Sequence, residues 1–195
     1  MFPAFVLVAT VEQCNTGTTY DMRTCWSKRA DTASEALDAA QQRVAAELQK
    51  LHIDPKPFAA ATAAWRSARD ETCAFEYRQY LPGTIAPQLQ TECGFRMTQA
   101  RAQRLEALTE SLRDHGAVAA QAPISTDVDT ELSRVYGLYR TRITPELRAP
   151  LEASQRAWLV YRKKECAVEG GSCIAELARE RVTELEDSWV GEAFW

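Results

Sequence analysis

The sequence predicts an all-α protein built as two tandem, disulfide-stapled three-helix units, on three observations. Marker residues recur at steps of four over long stretches, which keeps them on one face of a helix. No stretch of useful length alternates apolar and polar residues at a period of two. The same marker set also occurs twice: "AWRSARDETCAFEY", from Ala64, and "AWLVYRKKECAVEG", from Ala157, superpose Trp65, Arg69 and Cys73 on Trp158, Arg162 and Cys166. Downstream, Cys93, Met97, Arg101 and Leu105 superpose on Cys173, Leu177, Arg181 and Leu185.

The elements follow in chain order. Residues 1–13 include "MFPAFVLVATV", apolar, too short to span a bilayer and without preceding basic residues. This segment reads as the tail of a signal sequence or as an ordinary apolar arm. The first unit is expected over 14–115. Its first helix is "TYDMRTCWSKRADTASEALDAAQQRVAAELQKL", and Asp54-Pro55-Lys56-Pro57 separates it from the helix that carries Trp65. Leu81-Pro82-Gly83, inside an irregular loop from Tyr80 to Gln88, precedes the helix that carries Arg101. "GAVAAQAPIS", residues 116–125, lacks periodicity and reads as a linker, with Ser125 or Thr126 able to cap the next helix. The second unit, 126–195, opens on "TDVDTELSRVYGLYRTRI"; Thr144-Pro145 interrupts it, and Pro150 is expected to delay the helix that carries Trp158. Gly170-Gly171-Ser172 then separates that helix from the one that carries Arg181.

Six cysteines, an even number, point to an oxidising compartment. Cys73 with Cys93 and Cys166 with Cys173 lie at facing ends of consecutive helices, so each is expected to pair, and Cys14 with Cys25 would tie the arm to the first helix. The different loop lengths are tolerable because a bond fixes where two helices meet, not the path between them. No Cys-x-x-Cys and only two histidines occur, so a zinc site is not expected. No cofactor is expected.

Arg101 and Arg181 interrupt apolar stripes and therefore need a carboxylate or several carbonyls as partners. Trp65 with Arg69, and Trp158 with Arg162, stand one turn apart, where the guanidinium can cover the indole while the indole fills the core. These repeated residues, with Leu105 and Leu185, read as architecture. His52 and His115 belong to no catalytic or metal motif, there is no Gly-x-Ser-x-Gly elbow or phosphate loop, and full pairing leaves no thiol nucleophile. An enzyme is not expected. Glu176, Glu180 and Glu184 form a helical stripe that reads as a solvated face. The balance of 23 basic and 27 acidic side chains excludes the basic footprint of a nucleic-acid or anionic-membrane binder and makes a basic partner easier.

Trp-x3-Arg-x3-Cys followed by Cys-x7-Arg-x3-Leu resembles the lysozyme-inhibitor LprI N-terminal domain family of small bacterial envelope proteins. The family's copy also has an initial cysteine pair, here Cys14 and Cys25, a Leu-Asn-x-x-Tyr segment and a Gln just before Ala-Trp. In the second unit "LSRVY", Leu132 to Tyr136, and "QRAW", Gln155 to Trp158, follow this pattern with Ser for Asn; in the first, "LDAAQ" keeps only Leu37 and "TAAW" lacks the Gln. The second unit lacks the initial cysteine pair. The resemblance covers nearly all of 14–190 as two diverged copies, and implies an extracytoplasmic protein, in the periplasm or elsewhere in the envelope. "VEQC" lacks the small residues expected before a lipidated cysteine.

The resemblance implies a non-enzymatic protein that binds and inhibits a cell-wall hydrolase, lysozyme-type first. An immunity protein against a peptidoglycan-attacking toxin and a structural envelope module are the alternatives. Contact residues are expected on loops and helix ends. Tyr80, Leu81, Thr84 and Ile85 in the first unit's proline-containing loop are the first candidates, with a plain spacer as the alternative. Trp189, Phe194 and Trp195 in "SWVGEAFW" either fold back on the second unit or form a contact patch.

Overall fold

The structure, a computed structural model, describes residues 14, 16–116 and 126–192, with Thr126 and 188–192 by their backbone alone. The linker from 117 to 125 and the apolar arm lie outside these residues. Every element described is a helix: α1 Thr19–Lys50, α2 Lys56–Gln79, α3 Ala86–His115, α4 Thr126–Arg142, α5 Pro145–Glu169 and α6 Cys173–Glu192.

Local chemistry sets the ends. Thr18 caps α1: its hydroxyl accepts from the Asp21 N–H at 3.2 Å, and the Asp21 carboxylate accepts from the Thr18 N–H at 3.0 Å. The α1 C-terminus closes through His52 in the left-handed region, φ 55°, with the Ile53 N–H donating to the Leu48 carbonyl at 2.9 Å. Two proline expectations are corrected. The loop after α2 ends at Ile85, because Pro87 sits in the first turn of α3, where its missing N–H is no loss; Gln88 is accordingly helical and buried. Pro150 does not delay α5, which starts at Pro145 and runs through it. A proline there removes only the bond to the Glu146 carbonyl, close to the helix start, while Leu151 and Ser154 are fully buried just beyond it.

In each copy the third helix joins the other two: α3 packs on α1 and α2, and α6 on α4 and α5. The copies meet through their middle helices, α2 lying along α5. These run antiparallel. Thr72, late in α2, hydrogen-bonds Ser154, early in α5, at 2.9 Å, and Gln79 at the end of α2 donates to Tyr139, just ahead of α5. Ala61 and Ala68 of α2, without exposed surface, are buried in the same cluster as Trp158 and Tyr161 of α5. One buried cluster consequently runs from Leu37 in the first copy to Leu185 in the second. A smaller cluster joins Cys14, Trp26, Ala33 and Phe95, with the Trp26 and Phe95 rings 5.6 Å apart and the Arg29 guanidinium over both. Among the described residues it has no counterpart in the second copy, where α4 has 17 residues against 32 in α1.

All six cysteines pair as the helix junctions require: Cys14–Cys25, Cys73–Cys93 and Cys166–Cys173, with Cα separations of 5.4, 5.5 and 5.3 Å. The last bond closes a turn in which Gly170 (φ 67°, ψ −150°) and Gly171 (φ 55°) take backbone conformations that side chains resist.

Candidate functional site

The repeated residues build the interior. Trp65 and Trp158 are buried, as are Leu105 and Leu185. Arg69 covers Trp65 with its guanidinium carbon 5.0 Å from the ring centre while bonding Asp70; Arg162 covers Trp158 at 5.0 Å and bonds Asp129 at 2.5 Å. Arg101 is buried against the Glu165 carboxylate, with the Tyr161 hydroxyl at 3.5 Å. Arg181 is buried too, donating to Gln155 at 3.2 Å, Ser154 at 3.0 Å and Glu184 at 2.9 Å. Burial pushes the Arg101 guanidinium below its ordinary pKa and the Tyr161 hydroxyl above its own.

Sequence reasoning marked both arginines but not their partners. Glu165 offered a signal: it shares a helical stripe with Leu151, Trp158 and Tyr161, where a carboxylate must be satisfied internally. Arg104 offered none, because only the opposite wall of a groove gives it a role.

That groove, a cleft of about 520 Å³, lies between α3 and α6. Arg101, Trp65, Trp158 and Tyr161 form its floor, and the Gly170–Ser172 turn closes one end. A second hollow of about 270 Å³ shares Met97 and Glu184 with it and reaches Tyr80. The stripe Glu176, Glu180 and Glu184 is exposed to solvent and forms the α6 rim. Arg104 spans the cleft from α3, bonding Glu169 at 2.7 Å and Glu180 at 2.6 Å. Burial works against its charge, but these carboxylates outweigh burial and hold the guanidinium protonated more firmly than usual. Burial raises the Glu169 and Glu180 pKa values above the ordinary carboxylate range, against the pull of Arg104. Beside the second hollow, burial likewise raises Glu76 and Glu92, against Arg96. Among the described residues no group of three or more His, Cys, Asp or Glu converges on a metal position.

Of the loop candidates, Tyr80 lines the second hollow. Tyr80 is half-buried, Thr84 is exposed, and Leu81 and Ile85 expose 51% and 36% of their surface, enough to offer apolar contact. Of the C-terminal candidates, Trp189 is placed in α6 by its backbone alone, and Phe194 and Trp195 lie outside the described residues.

The family model for lysozyme inhibitor LprI matches residues 11–105 and 117–185, one segment on each copy. The chain belongs to the LprI family. LprI proteins are an inhibitor family and not an enzyme family, which sets a hydrolase as the kind of partner. Membership and three disulfides together indicate an extracytoplasmic protein. No described helix is long and apolar enough to cross a membrane. A solved structure of an uncharacterized protein from Burkholderia thailandensis is similar to this LprI chain, with a TM-score of 0.70 and 19% identity over 90% of this chain and 92% of that one. That similarity concerns the fold alone. No curated protein matches the chain.

Proposed function

We propose that this protein binds a lysozyme-type muramidase of the cell envelope and occludes its cleft, without cutting peptidoglycan itself. The observation that carries the reading is the family match, which covers both copies. An inhibitor of this kind needs a contact surface ordered before binding, since ordering it afterwards subtracts from affinity. The Tyr80–Ile85 loop suits that need. The Cys73–Cys93 bond joins the two helices that flank it, and the loop presents Leu81 and Ile85 to solvent while Tyr80 lines the smaller hollow. We place these residues in the contact, with Thr84 at its edge and Tyr80 as the anchor. Trp189, Phe194 and Trp195 are a second contact to be tested by removing 190–195. The acidic balance of the chain favours a basic enzyme. Within the extracytoplasmic space we assign the protein to the periplasm.

The test is loss of turbidity of cell walls with the oxidised protein titrated over several classes of lysozyme. Inhibition near stoichiometric ratios is expected, weakening as salt screens charges beyond ~8 Å and weakening again after reduction of the disulfides. Failure to inhibit any class, by protein shown to be folded, overturns the proposal. Binding to a peptidoglycan-attacking toxin would replace it with the immunity reading, and intrinsic wall lysis would remove both.

A further inference from the structure

The two copies share their core positions and differ in charge on two solvent faces. Superposing Leu37 on Leu132 also brings Ala40, Val44 and Leu48 onto Val135, Tyr139 and Ile143, all buried, so α1 and α4 present corresponding faces. On the exposed side of α1, Asp31, Glu35 and Asp38 recur at steps of four and three. The corresponding positions of α4 are Thr126, Thr130 and Ser133, without charge. The middle helices diverge in the opposite sense. On the exposed side of α5, Arg156, Lys163 and Lys164 surround Leu159 and Val160, which expose 41% and 53% of their surface. Aligned on the tryptophans, α2 has Ala63, Asp70 and Glu71 at the cationic positions, and Arg66 and Ser67 at the aliphatic ones. The first copy therefore offers an acidic stripe, and the second a cationic face with an apolar centre. None of these six charged side chains forms an ion pair among the described residues, whereas the acidic stripe of α6 is bonded by Arg104, Arg181 and Ser172.

We propose that α5 of one chain docks on α1 of a second copy, so that the molecules associate head to tail. Asp31 and Asp38 are seven residues apart, as are Arg156 and Lys163, a rise of about 10.5 Å along each helix. The ends of the two stripes therefore meet in register whichever way the helices run. Glu35 falls level with Val160, one turn from both Arg156 and Lys164. Ala39, one turn on from Glu35 and partly exposed, leaves room for the aliphatic side chains of α5 to approach. Covering Leu159 and Val160 adds to the attraction, since exposed ion pairs alone contribute little. The complementary charges set the register and speed the encounter. An extended anionic surface such as a membrane fits less well, because the chain as a whole has a net charge of −4. Because the two docking faces differ, the contact is heterologous and repeats from one molecule to the next. It uses neither the Tyr80–Ile85 loop nor the α3–α6 groove, so it stands apart from the function proposed above.

The test is sedimentation velocity of the full, oxidised chain over a wide concentration range at low ionic strength. A sedimentation coefficient that rises with concentration, and falls back when salt is added, is expected. Inverting either stripe, by Asp31→Lys with Glu35→Lys or by Lys163→Glu with Lys164→Glu, should weaken association about tenfold. Mixing the two variants should restore it, because each then presents the charge that the other lacks. The control Glu110→Lys with Asp114→Lys, on exposed positions of α3 and with the same net change as the α1 inversion, should associate like the wild type. Neutral substitution, Lys163→Gln with Lys164→Gln, should act in the same direction with a smaller effect, and circular dichroism checks that each variant is folded. A wild-type chain that stays monomeric at every concentration, association that survives both inversions, or a mixture that remains monomeric overturns the proposal. Binding to anionic phospholipid vesicles without self-association, lost in Lys163→Glu with Lys164→Glu, would instead assign the α5 face to a membrane.

Discussion

Arg101 and Arg181 hold the same place in two copies of one motif, yet their charges are met from different sides of the molecule. Arg181 is served within its own copy by Ser154 and Gln155 on α5, whereas Arg101 reaches out of its copy to Glu165 on α5. The repeat alignment explains the difference. Four and three residues before the tryptophan, where the second copy has Ser154 and Gln155, the first has Ala61 and Thr62. Alanine has no acceptor, and the Thr62 hydroxyl is itself buried without a partner. One residue before the cysteine, the second copy has Glu165 where the first has Thr72, which bonds Ser154 across the seam. Loss of the acceptor in one copy is thus matched by a carboxylate in the other. The lesson is that divergence between tandem copies can convert a local need into a dependence of one unit on its neighbour.

The largest expected effects come from the two tryptophans at the seam. Trp158→Ala should cost about 4–5 kcal/mol, near the top of the range for a buried aromatic, because Arg162 and Arg181 both lie over its ring. Trp65→Ala, with Arg69 over its ring, should cost about 3–4 kcal/mol. Equal losses in chemical denaturation would break the asymmetry between the copies. In molecules that stay folded, neither change should directly weaken partner binding.

Next comes the pairing itself. Glu165→Leu leaves Arg101 charged and buried, and should cost about 3–5 kcal/mol. Adding Arg101→Met should recover most of that loss. Gln155→Ala, which removes one neutral acceptor from Arg181, should cost only about 1–2 kcal/mol. If the double replacement is no better than Glu165→Leu alone, Arg101 does not depend on the other copy. Thr62→Gln sharpens the point, since restoring a local acceptor should lessen the damage done by Glu165→Leu.

The disulfides follow. Replacing Cys73 and Cys93 by alanine, which opens a separation of 20, should cost about 3 kcal/mol, and replacing Cys166 and Cys173, with a separation of 7, about 2.5 kcal/mol. The shorter bond should nonetheless matter more for the groove, because Cys173 lines it and the Gly170–Gly171 turn depends on that closure. Thermal unfolding reads the first expectation and amide chemical shifts along the groove the second.

The smallest effect is on pH dependence. Glu169 and Glu180 have raised pKa values in the folded chain, so folding favours their protonated forms. Their contribution is present below the ordinary carboxylate range and is lost as pH rises through the raised values. Glu131 and Glu146, lowered by bonds to Arg134 and to the α5 start respectively, act in the opposite sense and lose their contribution as pH falls. Glu169→Gln should therefore reduce the decline in Tm as pH rises above the ordinary carboxylate range. An unchanged slope would place the raised groups elsewhere.

Much of this molecule can be read along the chain. Steps of four in "AWRSARDETC" and "AWLVYRKKEC" set the helices, the facing cysteines set the three bonds, and Arg101 and Arg181 advertise a buried need for partners because each stands on an apolar stripe. These are signals within one helix or one junction, where sequence spacing and spatial spacing coincide. Pro150 and Pro87 were misleading because a proline costs little near a helix start: Pro87 has no intrahelical bond to give up, and Pro150 gives up one while Leu151 beside it is fully buried. What packing alone settled is which partner answers each arginine, the antiparallel seam of α2 on α5, and the groove that turns a solvated glutamate stripe into a rim opposite Arg104. Arg181 with Glu184 aside, each joins residues more than twenty positions apart, or in different copies. Periodicity states which face of a helix is apolar, but not which helix will cover it; that depends on the summed shape and charge of every face at once.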